Sequence, residues 1–174
     1  GLNLYVLKYK NDGRTRVSLI DTGPGFFFEK LKDALKDTAG VKPRDIESIV
    51  LTHGHFDHRG AIERLLKENP AIKVFAHPEV NRVNENIFPE AVDRQDYYEK
   101  LTLFYNLLFN NRVPEEIKTT PFHNPQYANY KIGGVAFHSL GEIYIGREKW
   151  LVLTAPSRGP PSYSHSIDSI MLLE

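Results

Sequence analysis

Three imidazoles and one carboxylate fall within six consecutive positions of this chain, in the stretch Thr52-His53-Gly54-His55-Phe56-Asp57-His58-Arg59-Gly60. Neutral imidazole nitrogen and carboxylate oxygen are donors that Zn²⁺, Fe²⁺ or Mn²⁺ accept, at about 2.0–2.2 Å for zinc. Side chains two apart on an extended loop point to the same side, so His53 and His55 can share one ion. Asp57 and His58 lie further along and can face a neighbouring one. Two cations about 3.5–4 Å apart can hold a bridging hydroxide and polarise a carbonyl or phosphoryl oxygen. The nucleophile would then be water. A polar loop with solvated histidines is the other reading, and for one histidine it would be the better one. No Ser-His-Asp arrangement stands out. The chain has no cysteine, which excludes a thiol nucleophile, thiolate ligands and disulfides.

The loop needs a rigid mount, and the apolar run Ile46-Glu47-Ser48-Ile49-Val50-Leu51 directly before it supplies a strand. Residues 4–9 and 16–20 are β-rich and separated by Asn11-Asp12-Gly13, which predicts a hairpin. Phe28, Leu31 and Leu35 stand at helical spacing over 27–38, with Gly40 as a stop. Ile62, Leu65 and Leu66 mark one face of a short helix over about 60–69. Asn69-Pro70 ends it, because proline disfavours helical backbone in its predecessor. A strand at 71–76 follows. Strand, helix, strand with a crossover is the grammar of α/β layering.

Residues 79–129 leave that alternation. A helix is predicted from Tyr97 to Asn110, with Leu101, Phe104 and Leu108 on one side. β-type runs resume at 135–138, 143–145 and 149–153. The chain stops at Ile170-Met171-Leu172-Leu173-Glu174, in what resembles the middle of a strand, so it is read as a partial one.

A chain of 174 residues suits one domain with a real core. Apolar residues at 41% and charged residues at 25% fall in the globular range, which argues against disorder. The 22 basic and 22 acidic side chains cancel, and an extended nucleic-acid surface normally needs a basic excess. No stretch approaches about 18 consecutive apolar residues, and no signal pattern opens the chain. The expectation is a cytoplasmic protein with a small-molecule substrate, no membrane partner and nucleic acid disfavoured. Its oligomeric state is left open.

The central loop resembles the His-x-His-x-Asp-His signature of the metallo-β-lactamase superfamily, whose members are mostly dinuclear metal hydrolases. Val17-Ser18-Leu19-Ile20-Asp21-Thr22-Gly23 resembles the strand and Asp-Thr-Gly turn that precede that signature. His165-Ser166-Ile167-Asp168-Ser169-Ile170-Met171-Leu172 resembles the next ligand segment, a His in a loop that leads into a strand. The resemblance covers nearly the whole chain, with the central motif as its specific part. It implies an α/β fold, an αββα sandwich incomplete in its second half. One such domain would cover residues 1–174, with a helical insert at about 79–129 that either shapes the substrate pocket or packs onto the core.

For the site, the resemblance implies His53, His55 and His165 around one metal. Asp57, also a catalytic residue, and His58 begin a second metal site. A bridging Asp and a further His would come after Glu174. The segment Thr154-Ala155-Pro156-Ser157-Arg158-Gly159-Pro160-Pro161 competes with His165 for the third-His segment, but it would put Arg158 in the ligand position, where a guanidinium cannot bind metal. His165 is preferred for its spacing to the following strand. Asp21 either orients a metal-loop imidazole or amide, or simply forms a turn. Gly60 allows a tight turn or close packing, and Arg59 reaches substrate or is solvated. His77, His123 and His138 have no motif company and are read as structural or surface residues.

The implied cofactors are two divalent ions, zinc first, with iron or manganese as options. The implied function is a hydrolase using a metal-bound hydroxide on a small ester, thioester or lactone, as glyoxalase-II-like and lactonase-like relatives do. A phosphodiesterase or nuclease, a mononuclear iron oxygenase, and a non-catalytic metal-binding relative are the alternatives.

Overall fold

The computed structural model describes residues 3–78, 80–81, 116–125, 128–155 and 169–173. Strands β1 (Tyr5–Asn11) and β2 (Arg14–Ile20) form the expected antiparallel hairpin. Asp12 at φ 49° and Gly13 at φ 76° both take left-handed backbone, the pair of conformations that lets a two-residue turn match the twist of its strands. β3 (Ile46–Val50) runs parallel to β2, and β4 (Lys73–Phe75) parallel to β3, giving the order β1-β2-β3-β4.

Parallel neighbours require crossovers. Helix α1 (Phe28–Ala34) lies between β2 and β3, and helices α2 (Phe56–Arg59) and α3 (Ile62–Glu68) lie between β3 and β4. α1 continues as one wide turn over Leu35–Ala39 and stops at Gly40, whose φ of 66° closes the helix. Phe28, Leu31 and Leu35 are all buried, on the face their spacing marks. α3 ends as proline chemistry requires, with Asn69 extended before Pro70. The Asn69 amide donates to the Ile46 carbonyl at 2.9 Å and so ties the helix end to the start of β3.

The second sheet is antiparallel, in the order β5 (Asn129–Ile132), β6 (Val135–Ile145), β7 (Glu148–Ala155), β8 (Ser169–Leu173). The β-type runs at 135–138 and 143–145 turn out to be one strand with a bulge between Ser139 and Gly141. Gly141 sits at φ 136°, and a Cβ there would lie 2.7 Å from the His123 carbonyl oxygen. Only glycine admits that approach, and its presence is what interrupted the alternating pattern. The helix expected from 97 to 110 lies outside the described residues, as does most of the 79–129 insert. Its described end, 116–125, is not helical.

The two sheets stack. Val50 and Phe75 from the first pack with Ile143, Ile145, Val152 and Ile170 from the second. On the other face of the first sheet, Val17, Leu19, Ile49 and Leu51 pack against Phe28, Leu31, Ile62 and Leu65 of the helices. The described layers are thus helix, sheet, sheet, as an α/β sandwich requires. No helix covers the outer face of the second sheet among the described residues. β3 is buried on both faces, and each such aliphatic side chain contributes roughly 1.5–3 kcal/mol. The strand that carries the loop therefore cannot shift. No helix of the described residues is long and apolar enough to cross a membrane.

A polar chain crosses the first sheet at the far end from the loop. The Tyr9 hydroxyl donates to Glu47 Oε2 at 2.8 Å and lies 3.2 Å from Ser18 Oγ, which lies 2.6 Å from Ser48 Oγ. Burial, reinforced by Glu47, raises the Tyr9 phenol from 10.0 to about 12, against an opposing hydrogen bond from Ser18. The unfolded chain would lose this proton first. The stabilisation is therefore complete below pH 10.0 and disappears as pH rises toward about 12. Tyr9→Phe should cost about 1 kcal/mol at neutral pH. It should also flatten the alkaline decline of stability, as urea unfolding across that pH range will measure.

Candidate metal centre

The loop begins where β3 leaves the sheet. The Leu51 amide still donates to the Phe75 carbonyl at 2.8 Å, and the Asp21 amide donates to the Val50 carbonyl at 2.9 Å. Asp21 follows β2 and is 3% exposed. Its φ of 62° is a left-handed conformation that aspartate tolerates better than most side chains. That bend turns the carboxylate onto the loop. Oδ1 accepts the Thr52 N–H at 2.8 Å, and Oδ2 accepts the Thr52 hydroxyl at 2.8 Å and the His58 Nδ1–H at 2.7 Å. From behind, the Thr22 amide and hydroxyl donate to the His58 carbonyl at 2.7 and 2.9 Å. The Asp-Thr-Gly turn therefore clamps the metal-motif loop.

These bonds fix ring tautomers. A carboxylate only accepts, so His58 carries a proton on Nδ1, and its neutral form has its lone pair on Nε2. The Thr52 hydroxyl hydrogen is committed to Asp21, so its oxygen accepts from His53 Nδ1 at 2.9 Å, leaving a lone pair on His53 Nε2. That nitrogen accepts from His55 Nδ1–H at 3.0 Å, a proton that a bound metal would displace. The His53 and His58 rings pack with centroids 3.9 Å apart. Asp57, with a side chain 44% exposed, places Oδ2 3.8 Å from His58 Nε2.

The electrostatics keep two rings neutral. Burial pushes His53 down to about 4, and the neighbouring His58 and His55 push the same way. His55 is also lowered, first by burial and then by His58 and Arg59, against Asp57. Burial would lower His58 too, but the hydrogen bond and charge of Asp21, with Asp57, outweigh it and raise its pKa. At neutral pH, His53 and His55 are thus in the form that binds metal. Two tetrahedral ligands at about 2.0–2.1 Å from zinc stand roughly 3.3 Å apart. The 3.0 Å between His53 Nε2 and His55 Nδ1 is close to that spacing. The donor set fits a divalent cation.

The structure brings His53, His55 and His58 together, with Asp21 behind them and Asp57 at the open rim. Among the described residues, no three His, Asp or Glu side chains are closed around one point as a complete ligand set. His165 and its competitor Arg158 lie outside the described residues. The nearest described backbone is the start of β8, where the Ile170 amide donates to the Thr52 carbonyl at 2.9 Å. The loop thus stands at the junction of both sheets.

Thr52 is the contact that sequence reasoning missed. A threonine between a β-strand and a ligand motif looks like strand, and only the hydroxyl's position between Asp21 and His53 gives it a role. Of the two expectations for Arg59, the solvated one fails, since the side chain is 1% exposed. Gly60 takes ordinary helical backbone at φ −63°, so it is buried for packing and not for a tight turn. His77 is buried just after β4, His123 bridges to Glu142 through its backbone, and the His138 ring meets Asn129. A cavity of about 520 Å³ opens at the other end of β3, beside Glu47, Arg16 and Lys73, and none of His53, His55 and His58 lines it.

Similarity to known proteins follows the same lines. The chain is 29% identical over 124 residues to the hydroxyacylglutathione hydrolase of Trichodesmium erythraeum, covering 65% of this chain and 43% of that one. It is 47% identical over 64 residues to ribonuclease J of Mycobacterium tuberculosis, covering 34% of this chain and 12% of that one. Its fold matches a metallo-beta-lactamase family protein from Thermus thermophilus with a TM-score of 0.55 and 19% identity, covering 97% of this chain and 55% of that one. The chain thus spans under half the length of the curated relatives it matches. The sequence model of the metallo-beta-lactamase superfamily matches residues 3–164, a span that holds the ligand loop, its aspartate clamp and the strands from β1 to β7. The chain belongs to the metallo-beta-lactamase superfamily.

Proposed function

We propose that this protein is a metal-dependent hydrolase of a small ester, thioester or lactone, with His53, His55, Asp57, His58 and His165 as the residues that hold divalent metal, zinc first. The observation that carries this reading is the convergence of His53 Nε2 and His55 Nδ1 at 3.0 Å, both rings neutral and one locked in tautomer from behind. When bound, the metal supplies Lewis acidity toward a carbonyl oxygen and acidifies coordinated water toward neutrality. The chain's own residues do the rest. Thr52 and Asp21 keep the ring protons on Nδ1 of His53 and His58, so the Nε2 atoms stay available. Asp57, half-exposed beside His58 Nε2, can orient water and accept its proton at Oδ2. Similarity to a hydroxyacylglutathione hydrolase supports a thioester among the substrates.

The test is metal analysis of the purified full-length protein, paired with a panel of thioesters, esters and lactones. Metal-dependent turnover of at least one is the expected result. Removing metal should also destabilise the fold, by roughly 3 kcal/mol when free zinc had stood at a hundred times its Kd. Thermal unfolding with chelator, then with zinc restored, measures this. Similarity to ribonuclease J favours a second reading, phosphodiester cleavage, against which the balanced charge counts. Cleavage of a phosphodiester with no turnover of the carbonyl panel would reverse the order.

A further inference from the structure

Arg59 is the largest fully buried side chain of the described residues, at 1% exposure, and it stands one residue after the ligand motif. Neither its Nε nor its Nη1 has a hydrogen-bond partner among the described residues. A guanidinium binds an oxyanion through one of two edges, Nε with Nη2 or Nη1 with Nη2. With both Nε and Nη1 unused, neither edge is engaged. A buried cation without an acceptor is strongly destabilising, and an apolar side chain of similar length would fill the same space without that cost. The position of the charge is the more telling fact. The Arg59 amide donates to the His55 carbonyl at 3.1 Å, which puts the residue one helical turn after a ligand of the loop.

We propose that Arg59 is an oxyanion subsite beside the metal loop, taking a carboxylate or phosphate group carried by the substrate beside the bond that is cleaved. The proposal rests on the hydrolase reading and narrows it to anionic esters and thioesters. The planar guanidinium gives such a group two parallel charge-assisted hydrogen bonds, which a neutral substrate cannot use. Binding also supplies the missing acceptor, so the anion gains more here than at an exposed arginine.

The test compares succinyl and butyryl thioesters of the same thiol, alike in chain length and different by one carboxylate. Metal-loaded wild type should prefer the succinyl compound at least tenfold in kcat/KM. Arg59→Met should bring that ratio close to one, mainly through KM. Arg59→Lys, which keeps the charge but not the fork, should fall between and serves if the methionine variant does not fold. A ratio unchanged in the variants overturns the proposal. A second arm uses the metal-free protein and inorganic phosphate. Phosphate should raise the Tm of wild type and not that of Arg59→Met. If neither thioester is turned over, the wider panel decides on the hydrolase reading and the phosphate arm decides on Arg59. No shift in wild type overturns the subsite.

Discussion

Replacing His53 and His55 together by alanine is expected to abolish metal binding and to lower activity by roughly a thousandfold or more. The size of the loss follows from the site's construction. Loss of a partner behind a metal ligand typically costs about 10–100-fold in affinity or activity, and here two ligands themselves are removed. The two ring nitrogens, 3.0 Å apart, are the part of the donor set that the structure brings closest together. Both rings are desolvated enough to stay neutral at neutral pH, so no salt bridge is lost with them. In the metal-free state the double variant should therefore unfold within about 1 kcal/mol of wild type, as expected away from core packing. Metal content by mass spectrometry and urea unfolding, run on the same samples, separate the two effects. A double variant that keeps stoichiometric metal and wild-type turnover would remove the basis of the proposed function.

Asp21→Asn should weaken metal binding by about 10–100-fold while leaving the fold intact. The amide keeps an oxygen for the Thr52 N–H, and asparagine accepts the left-handed backbone that Asp21 adopts at φ 62°. Its nitrogen, however, would stand where Oδ2 now accepts from His58 Nδ1. An amide N–H donates, so His58 Nδ1 would have to accept and carry its proton on Nε2 instead. That proton occupies the lone pair the metal needs. Asp21→Ala should do more damage, because the Thr52 N–H loses its acceptor, at about 1–3 kcal/mol. Competition with a chelator of known affinity measures the binding change, and nitrogen NMR of the imidazoles reads the tautomer directly. A His58 that stays protonated on Nδ1 in Asp21→Asn, with metal affinity unchanged, would refute the role given to Asp21.

Much of the first half was legible because its signals are local. Phe28, Leu31 and Leu35 mark the buried face of α1 by spacing alone, and Asn11-Asp12-Gly13 contains the two left-handed residues of the hairpin turn. Val135 to Ile145 was harder, because one bulge at Gly141 breaks the period-two pattern of a single strand. Nothing near Gly141 in the chain announces that His123 and Phe122 will press against it.

The donor types, their order and the strand before them are properties of the sequence itself: four metal-competent side chains in six positions can be read without coordinates. Which nitrogen of each ring faces the site is not, since it depends on Asp21, thirty-one residues before Thr52, and on Thr52's own hydroxyl. The burial of Arg59 is likewise invisible in sequence, because a polar residue after a polar motif looks solvated until the fold closes over it. Ligand identity travels with the local chain. Proton placement and desolvation are set by whatever the fold brings alongside, and those contacts come from segments far away in sequence.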